Sequence, residues 1–108
     1  MSVGNLLKST TTVTAAQDAA TISGLPSVGS VGIQVTGTFV ATVTFEATVD
    51  GTNYVALNCL PSNSATTAST VAAAGAFTVS SGGYAAVRAR CSAYTSGSPV
   101  LTVRYVGS

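Results

Sequence analysis

Between Gly37 and Leu57 the sequence reads GTFVATVTFEATVDGTNYVAL. Val43, Phe45, Ala47 and Val49 alternate with Thr42, Thr44, Glu46 and Thr48, and a period of two marks a strand with one face buried. Asp50-Gly51 supplies the positive-φ chemistry of a tight hairpin turn, after which Val55, Leu57 and Cys59 resume the alternation. The chain is therefore committed to β-structure at its centre.

The flanking sequence continues in the same idiom. Thr10–Thr14 and Ala19–Ser23 are weaker strand segments, rich in Thr and Ala, and Gly24-Leu25-Pro26-Ser27 reads as a loop. Val31–Thr36 is a strand with Ile33 and Val35 inward. Residues 61–74, PSNSATTASTVAAA, have the composition of an exposed connection with little core of its own, and their β-branched residues disfavour a helix. Ala76–Val79 is a further strand, and Ser80–Gly83 a turn. Tyr84–Tyr94 then alternates, with Val87, Ala89, Cys91 and Ala93 on one face and Arg88, Arg90, Ser92 and Tyr94 on the other. Ser96–Pro99 turns the chain into Val100–Val106, where Leu101, Val103 and Tyr105 share a phase. Six to eight short strands at this spacing, with no helix, predict an all-β fold. The expected architecture is an antiparallel β-sandwich, jelly-roll or immunoglobulin-like. At 108 residues the chain is one domain. Residues 1–24 read as an N-terminal arm with weak strands and residues 25–108 as the sandwich core.

Charge narrows the functional classes. Only 6% of the residues are charged, where an average soluble domain has about 25%. With formal net charge +1, a free monomer lacks the repulsion that resists association, so a subunit of an assembly, and a homo-oligomer, is expected. The Ser/Thr-rich arm carries too little apolar content to order itself, which predicts contact with a neighbouring subunit. Four basic residues do not form the stripe that nucleic acid requires. No apolar run reaches the length of a membrane helix. Leu6-Leu7 followed by Lys8 is not a signal sequence, so synthesis in the cytoplasm is expected.

Catalysis finds few materials here. Histidine is absent, which removes the usual general base and the commonest metal ligand. Glu46 and Asp50 are the one neighbouring carboxylate pair, but on an extended strand their Cα atoms stand about 13 Å apart. Asp50, Gly51 and Asn53 hint at a calcium loop, yet calcium takes six to eight oxygens and usually several carboxylates, so the turn reading is preferred. The sequence predicts no enzyme, no catalytic residue, no metal site and no cofactor.

What remains are candidate contact residues. Arg88 and Arg90 point the same way on their strand, with Tyr94 further along, and Arg and Tyr are enriched at binding hot spots. The alternative is an outer sheet face on which one Arg pairs across strands with Glu46. Tyr54 lies out of phase with Val55 and Leu57 and is expected to face outward. Tyr54, Tyr84 and Tyr94 are the rings a glycan-binding module would use. Cys59 and Cys91 fall on apolar phases of their strands and read as buried thiols, with a disulfide across the core as the sharper alternative.

The segment VGIQVTGTFVATVTFEATVDGTNYVAL (31–57) and the later GGY…VR…R…AYTSG strand (82–97) resemble a pattern in small β-sandwich virion proteins of tailed bacteriophages. Tyr54 stands where that pattern often has Trp. The resemblance implies a structural subunit of the virion, bound to capsid or other virion proteins. Its leading form is a head decoration (cement) protein. A tail or fibre-associated component, or a carbohydrate-binding adhesion module, is the alternative.

Overall fold

The computed structural model describes residues 6–25, 29–80 and 82–106. Among the described residues ten strands run β1 (Leu6–Thr12), β2 (Ala19–Ser23), β3 (Ser30–Thr36), β4 (Phe39–Thr48), β5 (Val55–Ala56), β6 (Leu60–Pro61), β7 (Thr70–Val71), β8 (Gly75–Ser80), β9 (Ala86–Gly97) and β10 (Val100–Val106). They form two antiparallel sheets. One has the order β1-β10-β3-β8-β6; the other has β2-β9-β4-β5, with β7 also paired to β4. The sandwich expected from the alternation is the fold observed. The strands beyond the expected six to eight are two-residue pieces, β5, β6 and β7, too short to show any period.

The long pair β4–β9 is the spine of the second sheet. Ala41, Val43, Phe45 and Ala47 turn inward from β4, and Val87, Ala89 and Cys91 from β9. Against them stand Val31, Ile33 and Val35 of β3, Phe77 of β8, and Leu101, Val103 and Tyr105 of β10. The Phe45 and Phe77 rings meet between the sheets, their centroids 4.7 Å apart and their planes inclined at 53°. Burying each such aliphatic or aromatic side chain contributes about 1.5–3 kcal/mol against the ordering entropy. The inner face of β2 and β9 mixes small residues, Ala20, Ala89 and Cys91, with Ile22 and Val87.

Several local expectations change. Val49 is 71% exposed and Val55 64% exposed, although the alternation predicts both on the buried phase. β4 ends at Thr48, and residues 49–54 form a longer loop in place of a two-residue turn, so the alternation does not carry through it. Ala93 is exposed and Tyr94 packs against the core, the reverse of the expected phase. Ala41 pairs with Tyr94, Thr42 with Ala93 and Val43 with Cys91, which leaves Ser92 without a partner in a β-bulge. One extra residue inverts the side chains that follow it, here Ala93 and Tyr94, up to a second register shift at Thr95. The Ser92 hydroxyl is held there, accepting from Thr44 Oγ1 at 2.8 Å and donating to the Thr42 carbonyl at 3.3 Å.

Of the segment read as an arm, residues 1–5 lie outside the described residues, and much of the rest belongs to the sheets. β1 pairs with β10 and β2 with β9. Val13 between them is fully buried, its N–H donating to the Pro99 carbonyl at 2.8 Å. The low-complexity stretch ties the two sheets together at one side. β6 pairs with β8 of one sheet and β7 with β4 of the other, and a bridge joins Cys59 to Ala68.

Candidate functional site

Glu46 on β4 faces Arg88 on β9 as its cross-strand partner, one rung from Arg90. All three side chains emerge on the outer face of that sheet. Arg88 Nε donates to Glu46 Oε1 at 2.7 Å; Arg90 Nε donates to the same oxygen at 3.0 Å, and Arg90 Nη2 to Oε2 at 2.9 Å. Arg90 Nη1 also donates to Gln17 Oε1 at 2.7 Å, and the Arg88 guanidinium lies 3.8 Å from the centroid of the Tyr54 ring. One carboxylate is thus shared by two guanidiniums, with an aromatic ring stacked on one end and an amide bonded to the other.

The electrostatics follow from the contacts. Hydrogen bonding from Arg90 holds the Glu46 carboxyl below its ordinary value; burial opposes this, and Arg88 adds to the lowering. Arg90 is pushed up in turn, chiefly by its bond to Glu46. Both arginines of the expected contact patch are therefore engaged within the sheet, and the pairing with Glu46 expected for one of them takes in both. Tyr94 is not on this face: the bulge turns it inward, and its hydroxyl donates to the Gly97 carbonyl at 2.7 Å.

The candidate stacking rings are similarly occupied. Tyr54 is half-buried with Arg88 against it, and Tyr84 and Tyr94 pack against the core. Asp50 organises its own loop. Its Oδ1 accepts from the Asn53 and Thr52 N–H groups, each at 2.8 Å, and from Thr48 Oγ1 at 2.9 Å, while Oδ2 accepts from Asn53 Nδ2 at 2.8 Å. These bonds, the backbone ones foremost, hold its carboxyl well below the usual carboxylate range. Gly51, at φ +86°, provides the left-handed step that lets the loop close around the carboxylate. Both oxygens accept hydrogen bonds from within the loop. Among the described residues no three of His, Cys, Asp and Glu come together as a metal site.

Cys59 and Cys91 are both free thiols and both fully buried. Burial pushes the Cys59 thiol up to about 12 and raises Cys91 as well, so neither carries thiolate at neutral pH.

Two solved structures share this architecture. The SPBc2 prophage-derived protein YomS superposes with a TM-score of 0.72 over 97% of this chain and 98% of its own, at 11% identity. The PBSX exported protein XepA superposes with a TM-score of 0.77 over 99% of this chain, at 18% identity. The chain covers 40% of XepA, so there the sandwich is one part of a longer protein. YomS is prophage-derived, and XepA is an exported protein of PBSX. At such identities the likeness is one of fold. No family model matches the sequence, and no curated protein matches it.

Proposed function

We propose that this chain is a structural subunit of a bacteriophage particle, and that within the particle it decorates the head by binding the capsid surface. The observation that carries the reading is the sharing of one sandwich, end to end, with a prophage-derived protein. The chemistry of the chain is consistent with it. Glu46, Asp50, Arg88 and Arg90 each serve a structural contact, and the near absence of charge suits a subunit held among others. The mechanism is passive. A copy that binds the assembled shell more tightly than its separated parts stabilises the shell by mass action.

A tail or fibre-associated role is the second reading. It is favoured by the match to a part of the longer XepA chain, which uses such a sandwich as a module. The adhesion reading is weaker, since Tyr84 and Tyr94 pack against the core and Tyr54 carries Arg88 on its ring. Electron cryomicroscopy of intact particles separates these readings. Hundreds of copies on the icosahedral lattice are expected; a few copies at the tail would transfer the role there, and absence from particles would overturn it.

A further inference from the structure

The two cations not bonded to Glu46 lie on the other sheet, and they lie together. Lys8 on β1 is the direct cross-strand partner of Arg104 on β10, and Arg104 is in turn the partner of Gly32 on β3. Lys8 and Arg104 are both exposed. Like charges directly opposite on an antiparallel pair repel each other, and among the described residues no carboxylate pairs with either. Among the described residues the ion pairs are Arg88–Glu46 and Arg90–Glu46 alone. A chain with four basic residues thus sets two of them side by side, with no counter-charge among the described residues.

The surface around them is shaped as well as charged. Gly32 has no side chain, and a Cβ built there would meet no atom within 4 Å. A shallow depression of about 250 Å³ results, lined by Gly32, Ile33, Gln34, Ala76, Thr102 and Arg104. The neighbouring rungs carry Thr10, Thr102, Gln34 and Ala76 in register, all neutral and mostly small.

We propose that this outer face of the β1-β10-β3-β8-β6 sheet is a docking surface for an acidic protein surface, with a partner carboxylate lying between Lys8 and Arg104 and the stem of its side chain in the depression at Gly32. Among the described residues of a second copy, each carboxylate is already engaged. Glu46 is held by two arginines and Asp50 by its loop, while Asp18 Oδ2 accepts from the Thr14 and Ala15 N–H groups at 2.9 and 3.2 Å. Nucleic acid and anionic membrane are poor matches, because two cations neutralise too few phosphates or headgroups to hold either. This inference deepens the decoration reading and rests on it only for the partner's being a virion protein.

The test is a titration of the isotope-labelled chain with a blocked hexaglutamate peptide at low salt, followed by amide chemical shifts. Shifts are expected to gather at residues 8, 32–34 and 102–104, and the apparent affinity to fall about fivefold or more when salt is raised from about 20 to 200 mM. K8Q/R104Q is expected to abolish the response, R88Q to retain it. Shifts centred on Arg88 and Arg90, a response unchanged in K8Q/R104Q, or tighter binding to a DNA duplex or phosphatidylserine vesicles would each overturn the proposal. Because the peptide assay needs no particle, the two readings fail separately. Peptide binding without copies in particles removes the decoration role and leaves this surface standing. Particle occupancy without peptide binding does the opposite.

Discussion

Replacing Glu46 by Gln removes the one negative charge between two guanidiniums while keeping the shape of the side chain. The Glu46 side chain is 11% exposed, against 27% and 22% for those of Arg88 and Arg90. Exposed ion pairs contribute about 0.2–1 kcal/mol, and breaking a fully buried one costs about 3–5 kcal/mol. Glu46 lies between these limits: water still reaches both arginines, and Gln retains one amide oxygen to accept a bond. A loss of about 2 kcal/mol is expected at neutral pH. With about 2.1 cal/mol/K of unfolding entropy per residue over 108 residues, that lowers Tm by about 9 °C. The pH dependence gives a sharper reading. The folded protein holds the Glu46 carboxyl below its ordinary value of 4.5. Its contribution is therefore complete above that value and is lost as pH falls through the lower, folded value. Thermal unfolding of wild type and E46Q, followed by circular dichroism from pH 7 to pH 2.5, measures the difference; Asp50 titrates in both proteins and cancels. A gap under about 0.5 kcal/mol at pH 7, or one that persists undiminished into acid, would refute the electrostatic account of this face.

Glycine positions give a matched pair. A Cβ at Gly97, where φ is +92°, would come within 2.4 Å of the Thr38 carbonyl oxygen and 2.5 Å of Phe39 Cα, so G97A should cost about 2–3 kcal/mol in denaturant melts; G32A, with open space, should change stability by under about 1 kcal/mol. Cys59 and Cys91 should react with a disulfide reagent only at the rate of global unfolding, and both should react at once in guanidinium; fast native-state labelling of either would contradict their burial. D50A removes the acceptor for the Thr52 and Asn53 N–H groups, so hydrogen exchange at residues 51–53 should accelerate while the β4–β9 core keeps its protection.

The sandwich was legible because its signals are local. Alternation at 42–47, 31–36 and 100–106 assigned inward faces that the structure keeps, since β3 and β10 pair in continuous register and the unpaired residues of the β4–β9 ladder lie on β9. Legibility failed where tertiary pairing broke the period. Ser92 does not announce a bulge, so Tyr94 was placed beside Arg88 and Arg90 when it lies on the opposite side of the sheet. Val49 and Val55 have strand composition, yet the Asp50 hydrogen bonds draw their neighbourhood into a loop. The Arg88–Glu46–Arg90 cluster was half visible, because strand spacing puts two arginines on one face, and cross-strand register alone brings the carboxylate between them.

Lys8 and Arg104 mark the limit most clearly. They stand at opposite ends of the chain, and their adjacency arises from β1 lying against β10, a pairing with no local signal. Composition and period alone determined that this is an all-β sandwich, poor in charge and without histidine, because hydrophobic periodicity and residue chemistry act over a few neighbouring positions. Only the tertiary structure decided which of its few charges neutralise one another and which are left facing outward, because Coulomb interactions depend on distances in space that strand order and register set.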